Sequence, residues 1–148
     1  MTLTDFMTES LAIEGIHRAP TAQEIEAFVR FLALPELDLQ SICAVQGVYA
    51  PGKPLRTQAG MNVRVGRYLP PAGGLAVSGQ LGNIAHRVSA GADPWQMHVE
   101  FEMLHPFMDG NGRTGRIVWA WNMKRVIQDP FALPFLHRFY YQTLAALS

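Results

Sequence analysis

The sequence predicts an all-α protein, a compact helical bundle to which one small β-hairpin is attached. Apolar side chains recur every three or four residues over most of the chain, which is the spacing of a buried helix face. Helix-start signals precede several of these segments, and the clearest is the capping box from Thr21 to Glu24. Residues 50–74 break the pattern because they are rich in proline and glycine.

Helices are predicted, in chain order, at about residues 4–14, 21–34, 37–46, 75–88, 93–104, 113–128 and 134–147. Gly15 is a C-terminal cap for the first, and Pro35 ends the second, whose apolar face runs from Ile25 through Phe28 and Val29 to Leu32. The segment 113–128 is apolar nearly all round, including two tryptophans, so we expect it to be central and buried.

The hairpin is predicted inside the proline- and glycine-rich stretch. Residues 62–65 alternate polar and apolar side chains, as a short strand does. Residues 56–58 are expected to pair with them across a turn at Gly60. A connection of this length without helix is usually functional or mobile.

Length and composition indicate one domain, residues 1–148, of ordinary globular type. Twelve basic residues balance twelve acidic ones, which argues against a nucleic-acid partner. No apolar run approaches the roughly 18 residues of a membrane span, so no membrane partner is expected. The single cysteine, Cys43, and the absence of a signal-peptide pattern predict a cytoplasmic location. The oligomeric state is left open.

Residues 105–116, HPFMDGNGRTGR, carry the chemistry and lie between two predicted helices. Gly110, Gly112 and Gly115 match G-x-G-x-x-G, but a dinucleotide-binding fingerprint must follow a strand in a βαβ unit. A helix precedes this stretch, and no Gly-Lys-Ser/Thr of a P-loop is present. The glycines therefore indicate an anion site of another kind.

The same residues predict a phosphoryl- or nucleotidyl-transfer site. Glycines before a helix let backbone N–H groups approach an anion, which the helix dipole favours. Arg113 and Arg116 share a helix face and can grip a polyphosphate. Asp109 is the loop's only carboxylate, and nucleotide-bound magnesium often takes one. His105 at the loop's mouth is placed to take a proton from a hydroxyl.

The stretch resembles in full the signature H-P-F-x-D/E-G-N-G-R-x-x-R of the Fic-domain family. The resemblance implies AMP transfer from ATP to a Ser, Thr or Tyr hydroxyl of a protein, self-modification included. It implies His105 as general base, Asp109 as Mg²⁺ ligand and Phe107 as the anchor of the loop. Phosphate binding is implied for Gly110, Asn111, Gly112, Arg113 and Arg116.

Two further segments resemble parts of that family. Residues 56–70 resemble its flap, a hairpin that positions the target, with Thr57, Val63 and Val65 as target-binding residues. Residues 10–15, SLAIEG, resemble the inhibitory motif S/T-x-x-x-E-G/N, so residues 4–15 are expected to form an inhibitory helix. The resemblance implies that Glu14, with Ser10 on the same face, inhibits through Arg116.

Two alternatives remain at this point. The first is a Fic-type enzyme that uses another donor or removes AMP. The second is a non-catalytic nucleotide-sensing or toxin–antitoxin module.

Overall fold

The structure, a computed structural model, describes residues 2–125 of the chain. These residues contain six α-helices joined by loops. They are α1 Leu3–Ile13, α2 Ala22–Leu32, α3 Leu39–Tyr49, α4 Leu75–Ser89, α5 Pro94–Leu104 and α6 Asn111–Lys124. The all-α prediction is confirmed. The predicted helix at 134–147 and the end of the one at 113–128 lie outside the described residues. Within 2–125 no helix is long and apolar enough to cross a membrane.

Local side-chain hydrogen bonds fix where the first three helices begin. A capping box precedes each of them, at Thr2, Thr21 and Asp38, and in each both reciprocal bonds are present. Such a box pairs backbone N–H groups that the first turn of a helix leaves without partners. Because Asp38 is the N-cap, α3 begins at Leu39, two residues later than predicted, and it extends to Tyr49.

The core is built around α6, which packs against α1, α2, α3 and α5. Trp119 and Trp121 are 5% and 3% exposed, so the buried position predicted for this segment is confirmed. The predicted apolar face of α2 is partly wrong. Val29 is 51% exposed, and Phe31 is buried together with Phe28 instead. The side of α2 that carries Phe28 and Phe31 is the one that faces the other helices.

Helix α1 is held to this core by aromatic packing. The ring of Phe6 stacks on Phe28 of α2 and on Trp119 of α6, at centroid distances of 6.0 and 6.2 Å. Met7 and Leu11 are buried on the same side of the helix. The first helix is therefore an integral part of the bundle, and its C-terminal end is directed to the start of α6.

The predicted two-stranded hairpin is not confirmed. Residues 56–70 form successive turns, and their one backbone bridge joins Val65 to Tyr68 across a tight turn. Residues 56–58 do not pair with 62–65, because the backbone groups of Arg56 are bonded elsewhere. Its N–H donates to the Pro106 carbonyl, and its carbonyl accepts from the N–H of Gly74. The backbone N–H and carbonyl of Arg56, which a hairpin would need for strand pairing, are thus bonded to residues outside the segment.

We predict that Leu81→Ala lowers the free energy of unfolding by about 2–5 kcal/mol, because Leu81 is 0% exposed and its removal leaves a cavity. Leu75→Ala is a matched control, since Leu75 lies on the same helix but is 80% exposed. Its effect should stay within about 0.5 kcal/mol. Chemical denaturation followed by circular dichroism measures both, and equal losses would contradict this description of the core.

Candidate active site

The candidate site is the loop between α5 and α6, whose two ends both have left-handed backbone. His105 is the C-cap of α5, with φ 48° and ψ 63°, and Gly110 is the N-cap of α6, with φ 78°. A left-handed conformation is uncommon for a residue with a side chain and persists where its surroundings hold it. No side chain caps α6, so its first backbone N–H groups are left for an anion.

The hydrogen bonding of His105 fixes which ring nitrogen can act as a base. Its Nδ1 lies 3.3 Å from the carbonyl oxygen of Glu102, a group that can only accept. Nδ1 therefore carries the proton, and Nε2 holds a free electron pair. Burial, aided by the nearby Arg56 cation, lowers the pKa of His105 below 6.5. The hydrogen bond to the Glu102 carbonyl and the charges of Glu14 and Asp109 oppose this shift. The ring is neutral at pH 7.

Asp109 lies at the surface of the loop with a side chain that is 61% exposed. Its Oδ1 accepts a hydrogen bond of 2.8 Å from the N–H of Gly110 and lies 3.6 Å from Nη2 of Arg113. The amide of Gln46 donates to the Asp109 carbonyl at 3.0 Å and thus braces the loop from α3. The carboxylate stays open to solvent on a fixed backbone.

A magnesium ion bound together with a nucleotide fits this donor set. Mg²⁺ usually takes one or two protein carboxylates and completes its shell with phosphate oxygens and water. Within 2–125 no group of three or more His, Cys, Asp or Glu is placed to hold an ion. Asp109 can therefore serve as one ligand of a metal that a polyphosphate brings with it.

Asn111 and Phe107 form the internal brace of the loop. The Asn111 amide accepts from the N–H of Phe107 and donates to its carbonyl, each at 2.8 Å. Phe107 is 0% exposed and anchors this turn in the core. The side-chain amide of Asn111 thus bonds to the Phe107 backbone, while its own backbone N–H lies in the first turn of α6. Phosphate binding by Asn111 stays a prediction.

Arg116 is buried, and the end of α1 binds it. Its Nε donates to Oγ of Ser10 at 2.7 Å, and its Nη2 donates to the Ser10 carbonyl at 3.0 Å. Nη2 also makes an ion pair of 2.7 Å with Oε1 of Glu14. The structure therefore brings Arg116 together with Ser10 and Glu14, each of which lies more than 100 residues before it in sequence.

Gly112 lets the Glu14 carboxylate come close to the first turn of α6. A Cβ atom at this position would overlap Oε1 of Glu14 and lie 3.0 Å from Nη1 of Arg116. The carboxylate thus lies beside the helix start where a bound phosphate is expected. Arg113 is only partly occupied: its Nη1 donates to the Tyr49 carbonyl at 3.0 Å, whereas its buried Nε has no hydrogen-bond partner among residues 2–125.

The predicted target-binding residues lie on the turns of residues 56–70. Thr57 and Val63 are half-buried, whereas Val65 is 42% exposed. The stretch joins the loop at its base, where residues 54–56 pair antiparallel with residues 106–108 through Leu55 and Phe107. The flap residues therefore stand next to the loop but have no described contact with its phosphate-binding side.

Sequence reasoning missed the role of two buried polar side chains, Arg56 and Gln46. Arg56 is 0% exposed and donates to carbonyl oxygens at the end of α5, including that of His105. Gln46 is 4% exposed and holds the Asp109 backbone. Their acceptors are backbone carbonyls, which every residue has, so no sequence pattern marks such contacts.

Comparison with known proteins identifies the same segment. The model of the Fic/DOC family matches residues 36–123, from just before α3 to near the end of α6. Among solved structures, the chain is similar to a Fic family protein from Desulfovibrio desulfuricans G20, with a TM-score of 0.56 and 19% identity. The likeness covers 94% of this chain and 50% of that one, so the present chain spans about half of its length. At this identity it establishes the fold.

We predict that acidic pH lowers the free energy of unfolding because His98, a buried residue of α5, is protonated only in the unfolded chain. Burial, aided by the Arg116 cation, lowers its pKa to about 3, and its Nδ1 lies 3.2 Å from the Gly115 carbonyl. The unfolded chain protonates this residue near pH 6.5 and the folded chain does not, so stability is full above pH 6.5 and falls below it. Between pH 7 and 5.5 the expected loss is about 1 kcal/mol.

Urea denaturation at several pH values measures this slope. His98→Asn, which keeps a side-chain N–H donor, should reduce it, whereas His86→Asn should not, because His86 is exposed. An unchanged slope in His98→Asn would contradict the prediction.

Proposed function

Since the chain belongs to the Fic/DOC family, we propose that it is an autoinhibited protein adenylyltransferase, which moves AMP from ATP to a Ser, Thr or Tyr hydroxyl of a protein. Members of this family are generally nucleotidyl or phosphoryl transferases. The observation that carries the proposal is the single loop that joins a neutral histidine, an exposed carboxylate and an uncapped helix start. These are a base, a metal ligand and an anion site.

In the proposed reaction His105 acts as the general base. Its Nε2 accepts the proton of the target hydroxyl, and the hydroxyl oxygen attacks the α-phosphorus of ATP. A new P–O bond forms to the target, the bond from the α-phosphorus to the β-phosphate oxygen breaks, and pyrophosphate leaves. The N–H groups at the start of α6, together with Arg113 and Arg116, would hold the phosphates.

Mg²⁺ fits the proposal as an ion bound between Asp109 and the phosphates, where it would neutralise negative charge. Gln46 braces the Asp109 backbone and the Gly110 N–H holds Oδ1 of the Asp109 carboxylate, which supports a ligand of defined direction. Its partial exposure leaves room for an ion that arrives with the nucleotide.

We propose inhibition by Glu14 because it binds an arginine that the reaction requires. Its carboxylate pairs with Nη2 of Arg116 and lies against Gly112, so it competes with phosphate for the same donors. Negative charge at this position also repels a polyphosphate. Glu14 is the C-cap of α1 and its side chain is partly exposed, so it can move while the Phe6 packing keeps the helix in place.

We expect Glu14→Ala to increase protein labelling by α-³²P-ATP and Mg²⁺ at least about tenfold. This factor corresponds to about 1.4 kcal/mol, the free energy by which the Glu14 carboxylate would oppose phosphate binding. Labelling is measured on the protein itself and on a cell lysate. Glu9→Ala, a change of the same type on α1, should behave as wild type. Adding His105→Ala to Glu14→Ala should reduce the signal by about 10² to 10⁴, the usual contribution of a general base.

The position of the label identifies the reaction. Label from α-³²P-ATP without label from γ-³²P-ATP supports AMP transfer, and the reverse indicates phosphoryl transfer. ATP binding without any labelling, Glu14→Ala included, would overturn the enzyme proposal in favour of a nucleotide-sensing module.

We expect Asp109→Asn, in the Glu14→Ala background, to raise the Mg²⁺ concentration for half-maximal labelling by more than about tenfold, since it removes the charged metal ligand. Asp38→Asn is the control, because Asp38 caps α3 and asparagine caps equally well. A magnesium titration gives both values. Equal magnesium dependence in the two variants would remove Asp109 from the proposed role.

A further inference from the structure

Arg56 is a fully buried cation that is bound by backbone carbonyl groups. It is 0% exposed, and within residues 2–125 no carboxylate pairs with it. A buried charge is costly unless its hydrogen-bonding groups are satisfied. The position of Arg56 must therefore be stabilised by the acceptors around it.

Three consecutive carbonyl groups at the catalytic loop accept hydrogen bonds from Arg56. Its Nη2 donates to Leu104 at 2.8 Å, its Nε to His105 at 2.8 Å, and its backbone N–H to Pro106 at 2.9 Å. The carbonyls at a helix C-terminus lack partners and carry partial negative charge, which a cation satisfies. These bonds hold the left-handed backbone of His105 from both sides.

The same residue closes the flap, residues 56–70. Its Nη1 donates to Met61 at 3.1 Å and to Pro71 at 2.8 Å, one acceptor within the flap and one just beyond its end. The N–H of Gly74 donates to the Arg56 carbonyl at 3.0 Å. Tyr68 adds a separate bond from the flap to α5, donating to the Met103 carbonyl at 2.7 Å.

We infer that Arg56 is a positioning residue that fixes the His105 backbone and the target-binding flap in one geometry. The inference rests on the proposed function for its catalytic meaning. Its geometric content is that one guanidinium joins the end of α5 to Met61 within the flap and to Pro71 just beyond the flap. Lysine cannot replace it, because an ammonium lacks the planar set of donors that reaches separate carbonyls at once.

We test the catalytic consequence with Arg56→Lys and Arg56→Ala in the Glu14→Ala background. The labelling rate constant at saturating ATP should fall about 10²-fold, the usual effect of displacing a reacting group by about 1 Å. The ATP concentration for half-maximal rate should stay within about threefold, because Arg56 makes no contact with residues 110–116. Arg30→Lys is the control, since the Arg30 side chain is 78% exposed on α2.

Guanidinium ion, at a concentration that leaves the control variant folded, should restore part of the rate in Arg56→Ala, and sodium chloride should not. A parallel loss of rate and ATP affinity, or a full rate in Arg56→Lys, would overturn the positioning role.

Hydrogen exchange tests the geometry without any activity. In Arg56→Lys, amide protection should fall together in residues 57–74 and 104–108 and stay unchanged in α2. Loss of protection in all helices, or in neither segment, would overturn the inference. If the Glu14→Ala parent fails to label anything, the proposed function fails, while this exchange result still decides whether Arg56 joins the two segments.

Discussion

The buried positive charge of Arg116 is the constraint on which the relation between the first helix and the site depends. Its guanidinium lies 1% exposed in α6 and takes its partners from α1, the hydroxyl and carbonyl of Ser10 and the carboxylate of Glu14. Removing one partner of a buried pair leaves a charge without compensation. In this structure Ser10 and Glu14 contribute to that compensation.

Opposite ends of two helix dipoles meet in the loop between α5 and α6, and the charged residues are distributed accordingly. The C-terminal carbonyls of α5 carry partial negative charge and accept hydrogen bonds from the cation Arg56. The N-terminus of α6 carries partial positive charge and has the carboxylates of Asp109 and Glu14 beside it. His105 lies between them. Its pKa is lowered by burial and by Arg56, which favours the neutral imidazole.

The local parts of this arrangement were predictable because their signals are local. The capping box at Thr21, the Pro94 helix start, the apolar α6 and the chemical types in residues 105–116 follow from spacing along one segment. The hairpin is not confirmed, since the alternation at 62–65 takes no account of which backbone groups Arg56 binds. The prediction that Val29 lies in the core is wrong. Periodicity shows which face of a helix is apolar, but it does not show which part of that face the other helices cover.

The sequence by itself determined the helical class, the loop residues and the resemblance that pointed to Ser10 and Glu14. The tertiary structure decided which groups each buried side chain contacts: Asn111 braces Phe107, Gln46 holds the backbone of Asp109, and Arg56 joins the flap to His105. The physical reason is that all three contacts are made to backbone groups. Every residue carries the same N–H and carbonyl, so only the path of the folded chain determines which of them a distant side chain reaches.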